Sequence, residues 1–321
     1  MSRVIQISIL GKISGNVNAD GVIGNRITLK KMYSSDGEVL PFVSARAVKY
    51  AIRQAFRERG GFRIDPFYED PNATEALRLR DSGRPDQYVD NDLFGYMLTT
   101  GGRRGKGETF RRHAPVALSY FKALKDTPIK SEFAARFPRP REEKSESEES
   151  NPVPFEVEVA DFIGRLDVIL YDYIGNFTKS TRLVKAVEVK ELGRVQKIER
   201  LSAFLEILLT PSYVLPRRTN SLNIPEYYAA LIYMSDRGPA PIYQYLNYVH
   251  SDKGVSIDPN MLKMMMSREE IRRGDKGHTE TCIIDYGNYV DAPPEGANKI
   301  TIKEAIDKAC NFLIPIKQQL G

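Results

Sequence analysis

The stretch "PFEVEVADFIGRLDVILYDY", residues 154–173, alternates apolar with charged side chains in two runs, 154–162 and 164–173. A period of two is the pattern of a half-buried strand, so the spacing predicts two strands parted near Gly164. Working upstream, "VIQISIL" (4–10) reads as an opening strand and "NRITLKKMY" (25–33) as a second, with Asp36-Gly37 in "SSDGEV" suited to a tight reversal. "PFVSARAVKYAIRQAFRERGG" (41–61) is the clearest helix: Ser44 is a good N-cap and Gly60-Gly61 a stop. At 100° per residue Val48, Ala51, Ile52, Ala55 and Phe56 form one stripe, and Arg46, Lys49, Arg53 and Arg57 another near the opposite side. Downstream, "LVKAVEVK" (183–190) continues the alternation and "QKIERLSAFLEILL" (196–209) is a buried helix ended by Pro211. "YYAALIYMS" (227–235), "PIYQYLNYV" (241–249) and "TCIIDYG" (281–287) read as strands. The closing "TIKEAIDKACNFLIPIKQQL" is helical, with a break at Pro315.

Residues 62–153 are rich in Pro, Gly and charge, with short helical patches such as "NDLFGYML" (91–98), and read as an insertion. The element order gives an α+β fold: a ferredoxin-like antiparallel sheet with two packing helices. Residues 1–60 supply the first half of the core, 61–153 the inserted helical and finger region, and 154–321 the second half with a C-terminal helix. Within the insertion, "REEKSESEES" (141–150) holds five glutamates and nothing apolar to bury, so it reads as a disordered acidic loop.

The chain has 321 residues, 41% hydrophobic and 28% charged, with a net charge of +5. No run approaches the ~18 apolar residues that span a membrane, and "MSRVIQISIL" lacks the pattern of a secretory signal. Cys282 and Cys310 are the only cysteines, which implies no disulfide framework and fits a reducing cytoplasm. Charge is uneven: "GGRRGKGETFRRH" (101–113) carries five basic groups against Glu108 alone. That loop is open to three readings: a nucleotide-binding loop, a nucleic-acid finger or a solvated turn. The first fails, because a phosphate-cradling loop needs four residues between its glycines and then Lys-Ser or Lys-Thr, whereas Gly107 follows Lys106.

Other chemistry has little material. The histidines are His113, His250 and His278; "HTETC" sets His278 and Cys282 four apart without a second ligand pair, so no metal is expected. No Gly-x-Ser-x-Gly nucleophile elbow occurs. "GVIG" (21–24) has the form of a backbone-clamping loop but lies between apparent strands rather than helices. Each basic cluster alone reads as a solvated loop. Together, 101–113, the single-sign helix stripe and Arg217, Arg218 in "PSYVLPRRTN" favour a polyanion, since glycine allows close approach and arginine forks onto phosphate oxygens.

Several of these stretches resemble the DevR family of CRISPR-associated proteins, the backbone ("Cas seven") subunits of type I, here I-B-like, RNA-guided surveillance (Cascade) complexes. The resemblance is carried by "GNVNADGVIGNR" (15–26), "PFVSARAVKYAIRQ" (41–54), "NDLFGYM" (91–97), "RRHAPVALSYFKAL" (111–124), "EFAARF" (132–137), residues 151–177 and "PSYVLPRRTN" (211–220). It implies a modified RNA-recognition-motif core with finger and thumb insertions, no cofactor and no catalysis. It further implies copies that polymerise along a guide crRNA while target DNA pairs with the exposed bases. Implied partners are the large and five-prime-end-binding subunits, a guide-processing endonuclease and a recruited helicase–nuclease. Asn16, Asn18, Arg26, Ser44, Arg46, Lys49 and Arg53 become guide contacts, and so do Arg217, Arg218 and Asn220. Arg103, Arg104, Lys106, Arg111 and Arg112 could also meet target DNA or a neighbouring copy. Where the family has Ser-Gly-Asn, this chain has "SAR" (44–46). Two alternatives stay open: an RNA-cleaving subunit using Asp20, and a stand-alone regulatory RNA binder.

Overall fold

Residues 153–171 form one strand of 19 residues, not two. The computed structural model of the chain describes residues 3–69, 79–100, 108–136, 152–177, 189–213, 224–252, 254–272 and 278–316. Every even-numbered residue from Glu158 to Leu170 is buried, so the alternation runs through Gly164 without a break. That glycine answers a close approach rather than a turn: a Cβ there would lie 2.8 Å from the carbonyl oxygen of Lys122 on the neighbouring strand.

The chain opens with β1 (Val4–Gly15), a hairpin of β2 (Ala19–Ile23) and β3 (Arg26–Leu29), then β4 (Lys31–Tyr33) and β5 (Val39–Val43). The expected strand 25–33 is thus split. Helices α1 (Ala45–Arg59), α2 (Val89–Phe94) and α3 (Arg194–Leu209) follow. Among the described residues, twelve strands join one sheet. Its axis is the antiparallel pair of β1 with the long strand, Val4 opposite Tyr171 through Gly15 opposite Ala160. Glu226–Ser235 flanks β1, and Phe121–Ala123 links the long strand to β5. Strands Val116–Leu118, Phe121–Ala123 and Lys130–Arg136, all from within 61–153, pair with the long strand, so that region contributes to the core sheet. Most pairings are antiparallel, but β3 meets the long strand in parallel.

One face of the sheet carries the main core. Ile5, Ile7, Ile9, Val168, Leu170 and Ile232 pack against Val48, Ile52 and Phe56 of α1 and Leu201, Phe204 and Leu208 of α3. The C-terminal helix, Ile302–Leu313, joins them through Ala305, Ala309 and Leu313, and α2 through Val89, Leu93 and Phe94. The other face is capped only in part: Leu10, Leu231, Tyr233 and Ile283 lie beneath Ile242, Tyr245, Leu246, Leu262 and Met265. Here the expected strand 241–249 is instead a short 3-10 turn, Tyr243–Tyr245, followed by strand Tyr248–Ser251. Buried Ile242, Tyr245 and Leu246 are spaced i, i+3, i+4, the helical period, which outweighs the strand propensity of the tyrosines. Among the described residues no helix is long and apolar enough to cross a membrane. The expectations for 141–150 and for most of 183–190 lie outside the described residues.

Candidate nucleic-acid interface

Helix α1 carries a cationic stripe. Its five expected core positions, Val48, Ala51, Ile52, Ala55 and Phe56, are the buried ones, which turns Arg46, Lys49, Arg53 and Arg57 outward. Ser44 caps the helix by accepting from Ala47 N–H at 3.2 Å. Asn18 Oδ1 in turn accepts from Ser44 N–H at 2.9 Å, seating the turn before β2 against the helix N-terminus. The first turn holds no acidic residue. The positive end of the helix dipole and the exposed Arg46 therefore act in the same direction, towards an anion. Arg46 makes no hydrogen bond or ion pair among the described residues.

The two middle cations of the stripe are engaged within the protein. Lys49 lies 5.3 Å from the ring centre of Phe94, and so does the Arg53 guanidinium. Burial pushes the Lys49 ammonium below its ordinary pKa of 10.5, and the charges of Arg53 and Arg46 add to that shift. Arg53 donates through Nε to Asp90 at 2.9 Å, and Asp90 is fully buried. Arg57 reaches only Gln54, at 3.5 Å.

The cations of the β2–β3 flank are paired with acids throughout. Arg26 bonds Glu156 and Lys31 bonds Glu158, while Lys30 sits 3.4 Å from Asp20 and Lys12 3.6 Å from Asp161. Asn16 donates to the carbonyl of Glu158 at 2.7 Å. Glu158 is itself buried, which raises its pKa, but the Lys31 ammonium and the Leu29 N–H outweigh this and hold it below 4.5. Asp20, the residue of the cleaving alternative, lies exposed in β2.

Strands Tyr96–Thr100 and Glu108–Arg112 flank the glycine–arginine loop and pair with each other. The start of the first of these strands lies near Arg53, since Asp81 accepts from Met97 N–H at 3.2 Å and its charge feels Arg53. Arg111 is exposed there. Arg112 is a correction: it is buried, donating to Asp92 Oδ1 at 2.7 Å and to the carbonyls of Asp92, Tyr173 and Asn176. Strand alternation sends one of two neighbouring arginines inward, and this one meets Asp92, which also accepts from Arg200 at 2.8 Å. Arg103, Arg104, Lys106, Arg217, Arg218 and Asn220 lie outside the described residues.

The sequence reading missed what "NDLFG" does. Every residue of α2 is buried. Asp90 anchors Arg53, Asn91 donates to Asp65 at 2.8 Å, and Asp92 holds Arg112, Arg200 and the N–H of Gly175. Gly95 follows at φ +71, where a Cβ would fall 2.3 Å from the carbonyl oxygen of Arg112. Two acids in a hexapeptide with no lysine or arginine were the available signal. Among the described residues no cluster of His, Cys, Asp and Glu is placed to hold a metal, and burial pushes the Cys282 thiol up to about 12. Two clefts lie away from α1, one of about 360 Å³ beside Phe312 and one of about 870 Å³ beside Gly193.

The family described as "CRISPR-associated negative auto-regulator DevR/Csa2" matches residues 14–212. No curated protein matches. A solved chain described as "CRISPR RNA-guided surveillance complex, pre-nicking" superposes with a TM-score of 0.59 at 10% identity, covering 95% of this chain and all of that one. Another, described as "CRISPR RNA-guided surveillance complex", gives 0.57 at 12% identity over 95% and 99%. At such identities the likeness is one of fold.

Proposed function

The chain belongs to the DevR/Csa2 family, and on that premise we propose that it is a non-catalytic, crRNA-binding backbone subunit of a type I surveillance complex. In this reading copies line the guide RNA, target DNA pairs with the guide, and the large, five-prime-end-binding and guide-processing subunits and a helicase–nuclease complete the assembly. The observation that carries it is the α1 stripe. It bears one sign of charge, begins at a helix N-terminus without acids and leaves Arg46 unpaired, while the cations of the β2–β3 flank are matched to carboxylates. Phosphate contacts of this kind hold RNA of any sequence.

Replacing Arg46 and Lys49 with Ala is the test. Each lost phosphate contact lowers the slope of log affinity against log salt by about 0.7 for a single strand. The expected outcome is weaker binding to all sequences and a flatter salt dependence; unaltered affinity and slope would remove α1 from the interface. Arg53 is a poorer probe, because its truncation also strands the buried Asp90.

The family's own description, a negative auto-regulator, keeps the regulatory reading in play. Sizing with and without guide RNA separates the two: a backbone subunit grows into multimers on RNA, a regulator does not. Shortening of bound RNA that Asp20→Ala abolishes would move the chain to the cleaving alternative.

A further inference from the structure

The sheet face turned away from α1 and α3 is capped only in part. Across it runs a row of directly opposed residues: Leu10 of β1, Arg165 of the long strand, Lys122 and then Phe42 of β5. Leu10 lies under the partial cap, whose rim is marked by the Lys125 ammonium 4.2 Å from the ring centre of Tyr248. Beyond the rim Phe42 and Lys122 are half-buried. Phe42 there stacks on Tyr120, with ring centres 4.9 Å apart and planes 17° from parallel. Tyr120 is 48% exposed.

With Phe42 against one side of the ring, the 48% exposure of Tyr120 leaves aromatic surface accessible among the described residues. The adjoining charge is positive. Lys122, directly opposite Phe42, makes no hydrogen bond or ion pair among the described residues. The nearby acid, Asp167, feels the Lys122 charge but accepts its hydrogen bonds from Arg165 Nε at 3.0 Å and Ser8 Oγ at 2.5 Å. Directly opposed side chains on adjacent strands sit about 5 Å apart at Cβ. That places an ammonium one strand from a stacking surface, roughly the offset between a base and its phosphate. Single-strand binders combine these two elements, a cation along the backbone and an aromatic ring for the base.

We propose that Tyr120, backed by Phe42, is a nucleobase-stacking platform for single-stranded nucleic acid, with Lys122 meeting the adjoining phosphate. It rests on the reading above and adds a second contact to it. Because the platform lies on the face opposite α1, the nucleotide it holds is distinct from those gripped along that helix.

The chain contains no tryptophan, so Tyr120→Trp installs one emitter at the platform. Its fluorescence should be quenched by a mixed-sequence single-stranded RNA and left unchanged by an abasic strand of equal length. Tyr120→Ala should weaken RNA binding about 5- to 150-fold, the range that loss of one base–aromatic stack spans. Tyr120→Phe should retain affinity, and Lys122→Ala should lower the salt slope by about 0.7. Equal quenching by both strands, or unaltered affinity of a folded Tyr120→Ala variant, overturns the platform. If the Arg46 and Lys49 changes still weaken binding, the platform alone has failed; if they do not, the functional reading falls with it. A shift in assembly size on Tyr120→Ala with RNA affinity intact assigns the face to a protein partner and also overturns the proposal.

Discussion

Arg111 and Arg112 adjoin in a cationic run, yet their substitution should have opposite consequences. Arg112→Ala removes a guanidinium that reaches Asp92 and the carbonyls of Tyr173 and Asn176, and that lies 5.0 Å from the Phe177 ring centre and 5.5 Å from that of Tyr173. Breaking a buried ion pair by removing one partner costs about 3–5 kcal/mol. Asp92 keeps Arg200 and the Gly175 N–H, so the lower figure applies, about 3 kcal/mol. At about 2.1 cal/mol/K per residue, unfolding all 321 residues carries about 0.7 kcal/mol/K of entropy, so Tm should fall by about 4 °C. Arg111→Ala, at an exposed site, should leave Tm within about 1 °C.

Scanning calorimetry of the two variants beside the parent reads the difference, and RNA titration of each at two salt concentrations completes the comparison. Arg112→Ala should bind, where folded, with the parental salt slope; any loss of slope belongs to Arg111→Ala. An Arg112→Ala protein with parental Tm and a flattened salt slope would refute the buried assignment and return Arg112 to the interface.

Three further outcomes follow from the same geometry. Gly95→Ala combines a positive φ with a Cβ 2.3 Å from the Arg112 carbonyl, so it should cost well over the ~1–2 kcal/mol of left-handed backbone alone; recovery of soluble protein with Tm within about 2 °C of the parent would contradict it. Glu158 has a folded pKa below 4.5, so its contribution is present above that value and lost as pH falls through the lower one. Glu158→Gln should therefore be less stable at pH 7 and show a shallower fall of Tm between about pH 5 and 3, and parallel curves would count against the Lys31–Glu158–Leu29 tie. Lys49 has a depressed pKa that nearby phosphate should restore, so RNA binding near pH 9.5 should take up protons; calorimetry in two buffers of different ionisation enthalpy measures this, and uptake that persists in Lys49→Ala would reject the assignment.

The parts legible in the sequence were those set by local period. The stripe of α1 was readable residue by residue, because burial of one helix face follows from spacing alone. Gly164 misled for the same local reason: a glycine between two alternating runs imitates a break, and only the approach of Lys122 from another part of the chain explains it. "PIYQYLNYV" misled through composition, its tyrosines suggesting a strand while its buried positions followed a helical turn. The cationic run 111–112 was read by charge when strand alternation already required one of the pair to face inward. What stayed out of reach was the work of α2, since Asp90, Asn91 and Asp92 acquire meaning only from Arg53, Asp65, Arg112 and Arg200, each distant in the chain. The exposed ring of Tyr120 was equally hidden, because a sequence does not show how far a cap extends across a sheet.

The cations of the α1 stripe do different work. Arg53 is tied to a fully buried carboxylate and lies beside Phe94, so its charge is largely spent on joining α1 to α2. At the N-terminal end Arg46 makes no ion pair among the described residues and shares the first turn with the helix dipole, while burial, and after it the charges of Arg53 and Arg46, depress the Lys49 pKa. Like charges held together destabilise a folded protein on its own. Acids that could relieve this repulsion sit instead opposite Arg26, Lys30 and Lys31. A polyanion laid along α1 would remove the repulsion and gain the dipole at once, so RNA binding and folding should be coupled through this helix. Any substitution that places an acid beside Arg46 should then stabilise the free protein while weakening its hold on RNA.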